Sequence, residues 1–134
     1  MKFLPTLFSA IILTTPVLAG DLQKIKEPTE TKGVSLSVLQ QNSLEAQIPA
    51  MKGYDLRGRR ITFEAGATFT KHNHATRPGF VFVESGEIIE NRNGKSRKFK
   101  AGDSWIEDAK TDHWLRNISK QATVIIMVDL PVIK

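Results

Sequence analysis

The chain beyond residue 33 is divided into short runs of alternating apolar and polar residues, separated by turns that contain glycine. This alternation predicts half-buried β-strands, and their regular spacing predicts a sandwich or barrel. The Asn93-Gly94 pair is the strongest short hairpin signal, and Glu64-Ala65-Gly66 predicts another turn. No convincing amphipathic helix follows residue 19. The sequence therefore predicts an all-β domain, with strands over residues 34–38, 60–63, 80–83, 87–90, 96–99, 104–107, 113–116 and 122–128.

The chain has three histidines: His113 begins the strand predicted over residues 113–116, and His72 and His74 lie between the strands predicted over residues 60–63 and 80–83. His72 and His74 are two residues apart, and residues i and i+2 of a strand point to the same face. His113, on a distant strand, would bring a third imidazole to the same place. Imidazole is a ligand for zinc, iron, copper and nickel, and three imidazoles would leave coordination positions open. We therefore predict a metal site at His72, His74 and His113.

Residues 1–19 have the composition of a secretory signal peptide. A short positive start at Met1-Lys2 precedes an apolar centre, and small residues lead to a cleavage site after Ala19. Pro5, Pro16 and the short length argue against a membrane-spanning helix. The chain has no cysteine for a lipid anchor or a disulfide. These features predict an exported protein, periplasmic or secreted, whose mature form has no membrane segment.

Residues 20–134 are enough for one domain with its own core, but not for two. Residues 20–52 are assigned to a polar leader and the N-terminal strands, and residues 53–134 to the barrel domain. The first part, residues 20–32, is polar enough to be flexible. The strand over residues 34–38 could close its own barrel or pair with the sheet of a second copy.

The basic residues do not indicate nucleic-acid binding. The chain has 19 Lys and Arg against 14 Asp and Glu, and basic residues gather at 56–60 and 92–100. A nucleic-acid surface would need aromatic residues between them for stacking, and only Phe99 is available. We interpret both groups as solvated strand faces and a hairpin tip, with no nucleic-acid partner.

The spacing of glycine, histidine and asparagine residues in two segments resembles the two motifs of the cupin family. The resemblance covers about residues 56–130. The glycine and histidine positions of the first motif are matched by Gly66, His72, His74 and Gly86, and Gly79 stands where its glutamate belongs. The second motif is matched by Gly102, His113 and Asn117, whereas Asp108 and Lys110 replace its proline and inner glycine. The chain therefore looks like a three-histidine cupin that lacks the glutamate of the first motif.

The resemblance implies a cupin double-stranded β-helix, or jelly-roll barrel, that holds one divalent transition metal such as Fe, Ni, Mn or Zn. Cupins are commonly dimers, so it also implies a homodimer. Three neutral imidazoles leave the charge of the ion uncompensated, which favours a small anionic ligand. The function expected is that of a small-molecule enzyme, dioxygenase-like or using another metal-assisted reaction. The alternatives are a non-catalytic metal- or ligand-binding cupin and a zinc-dependent hydrolase.

Two further residues are candidate catalytic groups. Glu107, just ahead of the loop that leads to His113, could supply the missing carboxylate as a fourth ligand, an orienting group or a general base. Glu84 falls on the opposite face when residues are counted alternately from Gly79. Arg77 follows the histidine pair and could clamp a substrate carboxylate. For Glu107 and Arg77, an exposed surface position is the competing interpretation.

Two more residues are assigned structural roles. Asn117 is expected to brace the turn of the second motif by hydrogen bonds. Trp114 should face away from the metal if His113 faces it, since neighbouring residues of a strand point to opposite faces. Its expected use is sheet packing or a dimer contact.

Overall fold

The computed structural model describes residues 19–133, so the predicted signal peptide lies, apart from Ala19, outside the described residues. The elements are a helical turn α1 (Ala19–Leu22), β1 (Lys32–Ser43), a 3-10 turn (Pro49–Met51), β2 (Asp55–Asn73), β3 (Gly79–Ser85), β4 (Glu87–Arg92), β5 (Lys95–Lys100), β6 (Ser104–Glu107), β7 (Asp112–Arg116) and β8 (Thr123–Asp129). All strand pairings are antiparallel. The predicted all-β jelly-roll barrel is confirmed.

Residues 19–133 contain eight strands. Seven follow the order β5-β4-β7-β2-β8-β3-β6, and β1 lies outside this order and also pairs with β2. β2 joins the two halves of the barrel, since its first part pairs with β8 and its last part with β7. The predicted turn at Glu64-Ala65-Gly66 is therefore wrong. Gly66 has a positive φ of 75°, which a glycine adopts without strain, and the strand bends there without reversing.

Inward-facing side chains from both halves fill the barrel. They are Ile61, Phe63, Ala67, Val81, Val83, Ile88, Trp105, Leu115, Ile125 and Met127. The rings of Phe99 on β5 and Trp105 on β6 have centroids 4.6 Å apart, so side chains connect the two end strands. This packing nearly closes the barrel and leaves the histidine-bearing ends of β2 and β7 at one mouth.

The segment expected to be a flexible leader packs on the outside of the barrel. Leu22 is buried against Ile89 and Trp114. The Gln23 amide donates to the Ser96 carbonyl (3.0 Å) and accepts from the Ser96 N–H (3.2 Å), as a neighbouring strand would. Trp114 thus faces away from the histidines, as predicted, and this segment covers it.

β1 pairs with β2 of its own chain, from Val34 opposite Phe63 to Ser43 opposite Asp55. Its outer residues are largely exposed. Of the two alternatives for this strand, the structure therefore shows pairing within the chain.

Candidate metal centre

The end of β2 and the start of β7 bring the three histidines together. His72 is the cross-strand partner of His113 in the antiparallel register. His74 follows β2, and its backbone N–H donates to the Thr111 carbonyl at 3.0 Å, which holds it beside the same neighbouring strand. His74 and His113 are buried and His72 is half-buried. The convergence predicted from the i, i+2 spacing is present.

The three imidazoles point their Nε2 atoms at one another. His113 Nε2 lies 3.1 Å from His74 Nε2 and 3.2 Å from His72 Nε2. One nitrogen from each ring can be chosen so that all three lie within 4.8 Å of one another. Two nitrogens bound about 2.1 Å from one ion, at angles between octahedral and tetrahedral, are separated by about 3.0–3.4 Å. The cluster therefore has the spacing needed to hold a divalent metal ion.

The opposite ring nitrogens already have partners. His72 Nδ1 lies 2.8 Å from the Thr70 carbonyl, and His74 Nδ1 lies 3.2 Å from the Arg77 carbonyl. A carbonyl only accepts, so each Nδ1 carries the proton and each Nε2 presents a lone pair. Lone pairs converging at this distance repel one another unless a cation or a proton lies between them, and a metal ion would remove the repulsion.

Burial keeps these imidazoles neutral. Burial, together with the charge of the neighbouring His113, lowers the pKa of His74 to about 4. Burial also lowers the pKa of His72, against a raising effect of the hydrogen bond to Thr70. Neutral imidazole is the form that binds metal ions, so these two rings are ready to do so at neutral pH.

His113 is oriented by a buried carboxylate that the sequence interpretation missed. Glu90, on β4 and 1% exposed, has its Oε1 2.7 Å from His113 Nδ1. Arg92 donates to the same oxygen from Nε at 2.9 Å and from Nη2 at 2.6 Å. Burial alone would raise the pKa of Glu90, but the hydrogen bonds from His113 and Arg92 outweigh it and lower the pKa. The alternation in β4 was an available signal, since Glu90 follows the inward-facing Ile88 by two residues.

Glu107 also lies beside the cluster. It is 2% exposed on β6, directly opposite Gly79 on β3. Its Oε1 accepts from Trp105 Nε1 at 3.2 Å and lies 3.6 Å from His113 Nε2. Gly79 occupies the position where the first cupin motif has its glutamate. The strand register places the carboxylate of Glu107 directly beside that position, from the neighbouring strand β6.

The second oxygen of Glu107 has no aligned hydrogen-bond donor within residues 19–133. It lies 3.0 Å from His74 Nδ1, but that N–H is aligned with the Arg77 carbonyl instead. Burial raises the pKa of Glu107, although the charge of His113 acts in the opposite direction. A buried carboxyl group with a raised pKa and a free oxygen can hold or accept a proton at the cavity wall.

Arg77 lies at the mouth, with its side chain one-third exposed. Its Nε is 3.5 Å from Asp129 Oδ2, so its charge is partly engaged by the protein. Glu84, in contrast, accepts from Arg60 Nη2 at 2.9 Å on the outer face of the barrel. Arg77 therefore lies at the mouth of the site, whereas Glu84 lies away from it, as the alternation along β3 predicted for Glu84.

A cavity of about 130 Å³ connects these groups. It is lined by Leu36, Arg59, Ile61, Phe69, His72, His74, Arg77, Glu107, Leu115, Ile125 and Met127. The presence of Arg59 contradicts the interpretation of residues 56–60 as a solvated face, since Arg59 is buried. A larger groove of about 390 Å³ on the outer surface contains none of the three histidines, so we place the chemistry in the smaller cavity.

Asn117 braces the loop after β7. Its amide donates to the carbonyls of Phe63, Glu64 and Gln121 at 3.2, 2.9 and 2.7 Å, and its Oδ1 accepts from Ser119. The side chain is fully buried and does not line the histidine cavity. It has the structural role expected of it.

Comparison with known families identifies the fold. The family model described as the cupin domain matches residues 59–129, which is more than half of the chain. This chain belongs to the cupin family. The matched segment contains the three histidines and Glu107. No curated protein matches this cupin significantly.

Solved structures show the same fold at low identity. The cupin domain of Schizosaccharomyces pombe Cnp3 aligns with a TM-score of 0.62 and 13% identity, over 77% of this chain and 64% of that one. An RmlC-like cupin from Shewanella frigidimarina aligns with a TM-score of 0.60 and 23% identity, over 79% and 82%. A predicted oxalate decarboxylase from Thermotoga maritima aligns with a TM-score of 0.60 and 22% identity, over 74% and 81%. This cupin thus spans less than two-thirds of the Cnp3 domain and most of the other two.

In residues 19–133, the helices are all too short or too polar to span a lipid bilayer.

Proposed function

We propose that this cupin is an exported enzyme that holds a divalent transition metal through His72, His74 and His113 and acts on a small anionic molecule. The observation that carries the proposal is the convergence of three Nε2 atoms whose Nδ1 partners are already satisfied. A bound metal ion would supply Lewis acidity at an open coordination position. The side chains of the cavity would transfer the proton and orient the bound molecule.

Glu107 is proposed as the group that moves a proton. Within the described residues one of its buried oxygens has no aligned hydrogen-bond donor, and the other accepts from Trp105. Because burial raises its pKa, it can exchange a proton with a bound molecule more readily near neutral pH than an exposed glutamate. Arg77, at the mouth, orients the anionic end of that molecule.

The apolar part of the lining supports a reaction in surroundings of low polarity. Leu36, Phe69, Ile125 and Met127 line the cavity beside its polar groups. Electrostatic interactions are stronger in such an environment than in bulk water. The likeness to a predicted oxalate decarboxylase supports a small acid as the substrate class.

A homodimer is also proposed, on the outer face of the barrel. Phe80 on β3 lies between Ile106 on β6 and Val128 on β8, and all three are exposed, as is Phe82. A second copy could cover this apolar surface. Light scattering with size-exclusion chromatography tests it: a mass of two chains is expected, and one chain at all concentrations would refute it.

The enzyme proposal is tested by loading the chelator-treated protein separately with Fe²⁺, Mn²⁺, Ni²⁺ and Zn²⁺. Each form is assayed for oxygen uptake with small carboxylic acids, for their decarboxylation and for ester hydrolysis. Activity in one form that is lost in Glu107→Gln, but not in Glu84→Gln, supports the proposal. Metal binding with ligand-dependent melting but no turnover in any form would assign the protein to the non-catalytic cupins instead.

A further inference from the structure

Three arginines surround one carboxylate next to the histidine cavity. Asp129, fully buried, accepts from Arg57 through Nε at 3.0 Å and through Nη2 at 2.9 Å. It also accepts from Arg59 Nη2 at 2.9 Å, and Arg77 Nε lies 3.5 Å away. Arginine stays protonated, so around Asp129 three guanidinium groups meet one carboxylate, and this excess of positive charge is only partly offset by Asp55 near Arg57 and by Glu107 near Arg59.

Arg59 brings positive charge to the wall of the histidine cavity. It is 7% exposed and lines the same cavity as His72, His74 and Glu107. Its Nη2 contacts Asp129 and Met127 Sδ, but its buried Nε has no acceptor within the described part of the chain. A buried donor left without a partner is destabilising. An acceptor supplied by a ligand would remove this cost.

Arg77 approaches the cavity from the mouth. It lines the cavity together with Arg59. Burial lowers the pKa of Arg59, and the charges of Arg57 and Arg77 lower it further, against the raising effects of Asp129 and Glu107. Since Arg59 Nε has no acceptor within the described residues, an anion placed between Arg59 and Arg77 would be stabilised.

We propose that Arg59 and Arg77 form a carboxylate-binding subsite, and that the ligand is a compact acid whose other end carries an oxygen donor for the histidine cluster. This inference rests on the proposed function, since it names the ligand class of the same cavity. The volume of about 130 Å³ and the apolar walls from Leu36, Ile61 and Phe69 favour a short acid over a sugar or a peptide. A guanidinium group suits this role because its fixed donors match the geometry of a carboxylate.

The test is calorimetric titration with malonate and with its uncharged diamide, malonamide, on protein purified after expression of the full chain. Metal-free and metal-loaded samples are both titrated. We expect malonate to bind at least about tenfold more tightly than malonamide in both, because only malonate can accept charge-assisted hydrogen bonds. Arg59→Gln should remove most of this difference. Arg60→Gln is the matched control, since Arg60 lies next in the same strand but pairs with Glu84 on the outer face.

Equal binding of malonate and malonamide to the wild type, or equal malonate affinity in Arg59→Gln and Arg60→Gln, would overturn the subsite. If Arg59→Gln does not fold, as judged by circular dichroism, Arg77→Gln is used, and unchanged malonate affinity in that variant would overturn the subsite as well.

The metal-free sample separates this inference from the metal proposal. Arg59-dependent malonate binding without metal uptake would leave the subsite standing alone. Metal uptake with Arg59-independent binding would leave only the metal centre.

Discussion

Glu90 Oε1 lies 2.7 Å from His113 Nδ1, and this contact fixes which nitrogen of His113 faces the other two histidines. The carboxylate accepts the Nδ1 proton, so the Nε2 lone pair is directed into the cluster. Arg92 holds the carboxylate in place from the other side. The geometry of the candidate metal centre therefore depends on a residue that does not itself point into the histidine cluster.

Glu90→Gln should weaken metal binding. The amide can still hydrogen-bond to His113, but its NH₂ group can donate to Nδ1. This favours the tautomer with the proton on Nε2, which cannot bind a metal ion through that nitrogen. Loss of an orienting partner of this kind typically costs about 10–100-fold in metal affinity. Competition with a chromophoric chelator measures the change. Glu87→Gln is the control, because Glu87 is on the same strand and its carboxylate pairs with Lys98 at the surface. Equal affinities in the two variants would show that Glu90 does not support the site.

Gly79→Ala should destabilise the fold. A Cβ at this position would lie 2.9 Å from the Val128 carbonyl oxygen and 3.0 Å from Met127 Cε, closer than atoms tolerate. Overpacking of this kind costs about 1–3 kcal/mol in the free energy of unfolding. Urea denaturation measures it. Gly58→Ala is the control, since its Cβ would meet only the Gln40 carbonyl, at 4.0 Å. If Gly79→Ala and the control have the same urea midpoint, β3 and β8 can move apart enough to accept the Cβ without loss of stability, and the prediction is wrong.

The stability of the metal-free protein should fall as the pH drops from 6.5 towards 4. The pKa of His74 is 6.5 in the unfolded reference and about 4 in the fold, so the unfolded chain binds the proton first. Neutral His74 therefore makes its full contribution to the free energy of unfolding above about pH 6.5. This contribution is lost as the pH falls from about 6.5 to about 4. Urea denaturation at several pH values, compared with His74→Gln, isolates it. A parallel pH dependence in wild type and variant would contradict the assigned burial effect.

Export is tested by the N-terminus of the protein. Expression of the full chain in a Gram-negative host should give periplasmic protein beginning at Gly20, because the small residues at the cut position, Ala19 and Gly20, predict cleavage between them. N-terminal sequencing of the periplasmic fraction reads this directly. Ala19→Arg should block cleavage and serves as the control. Cytoplasmic protein that retains Met1 would contradict the prediction.

The sequence predicted the parts of the site that depend on local alternation. The i, i+2 spacing of His72 and His74 needs only a strand, and the parity that places Glu84 outside follows from counting along β3. Two cupin-like motifs then predicted the meeting of His113 with the pair. The bend at Gly66 was predicted as a turn, because a glycine near an alternating segment signals a turn and a bend alike.

Local pattern alone could not establish that Arg59 and Glu90 are buried. Alternation places Glu90 on the same face as Ile88, but the partners that make a buried charge possible are distant in the chain. Arg59 is stabilised by Asp129, 70 residues away, and Glu90 by His113, 23 residues away. A charged residue without a known partner is ordinarily assigned to the surface. Only the pairing of β2 with β8, and of β4 with β7, shows that each charge meets a complementary group inside the barrel.

The most direct test is elemental analysis of the protein purified without chelator, beside a variant in which His72, His74 and His113 are all alanine. We predict close to one divalent transition-metal ion per wild-type chain and none in the folded variant. Absence of bound metal in the wild type, together with no uptake on addition of iron, manganese, nickel or zinc, would contradict the metal centre and the proposed enzyme with it.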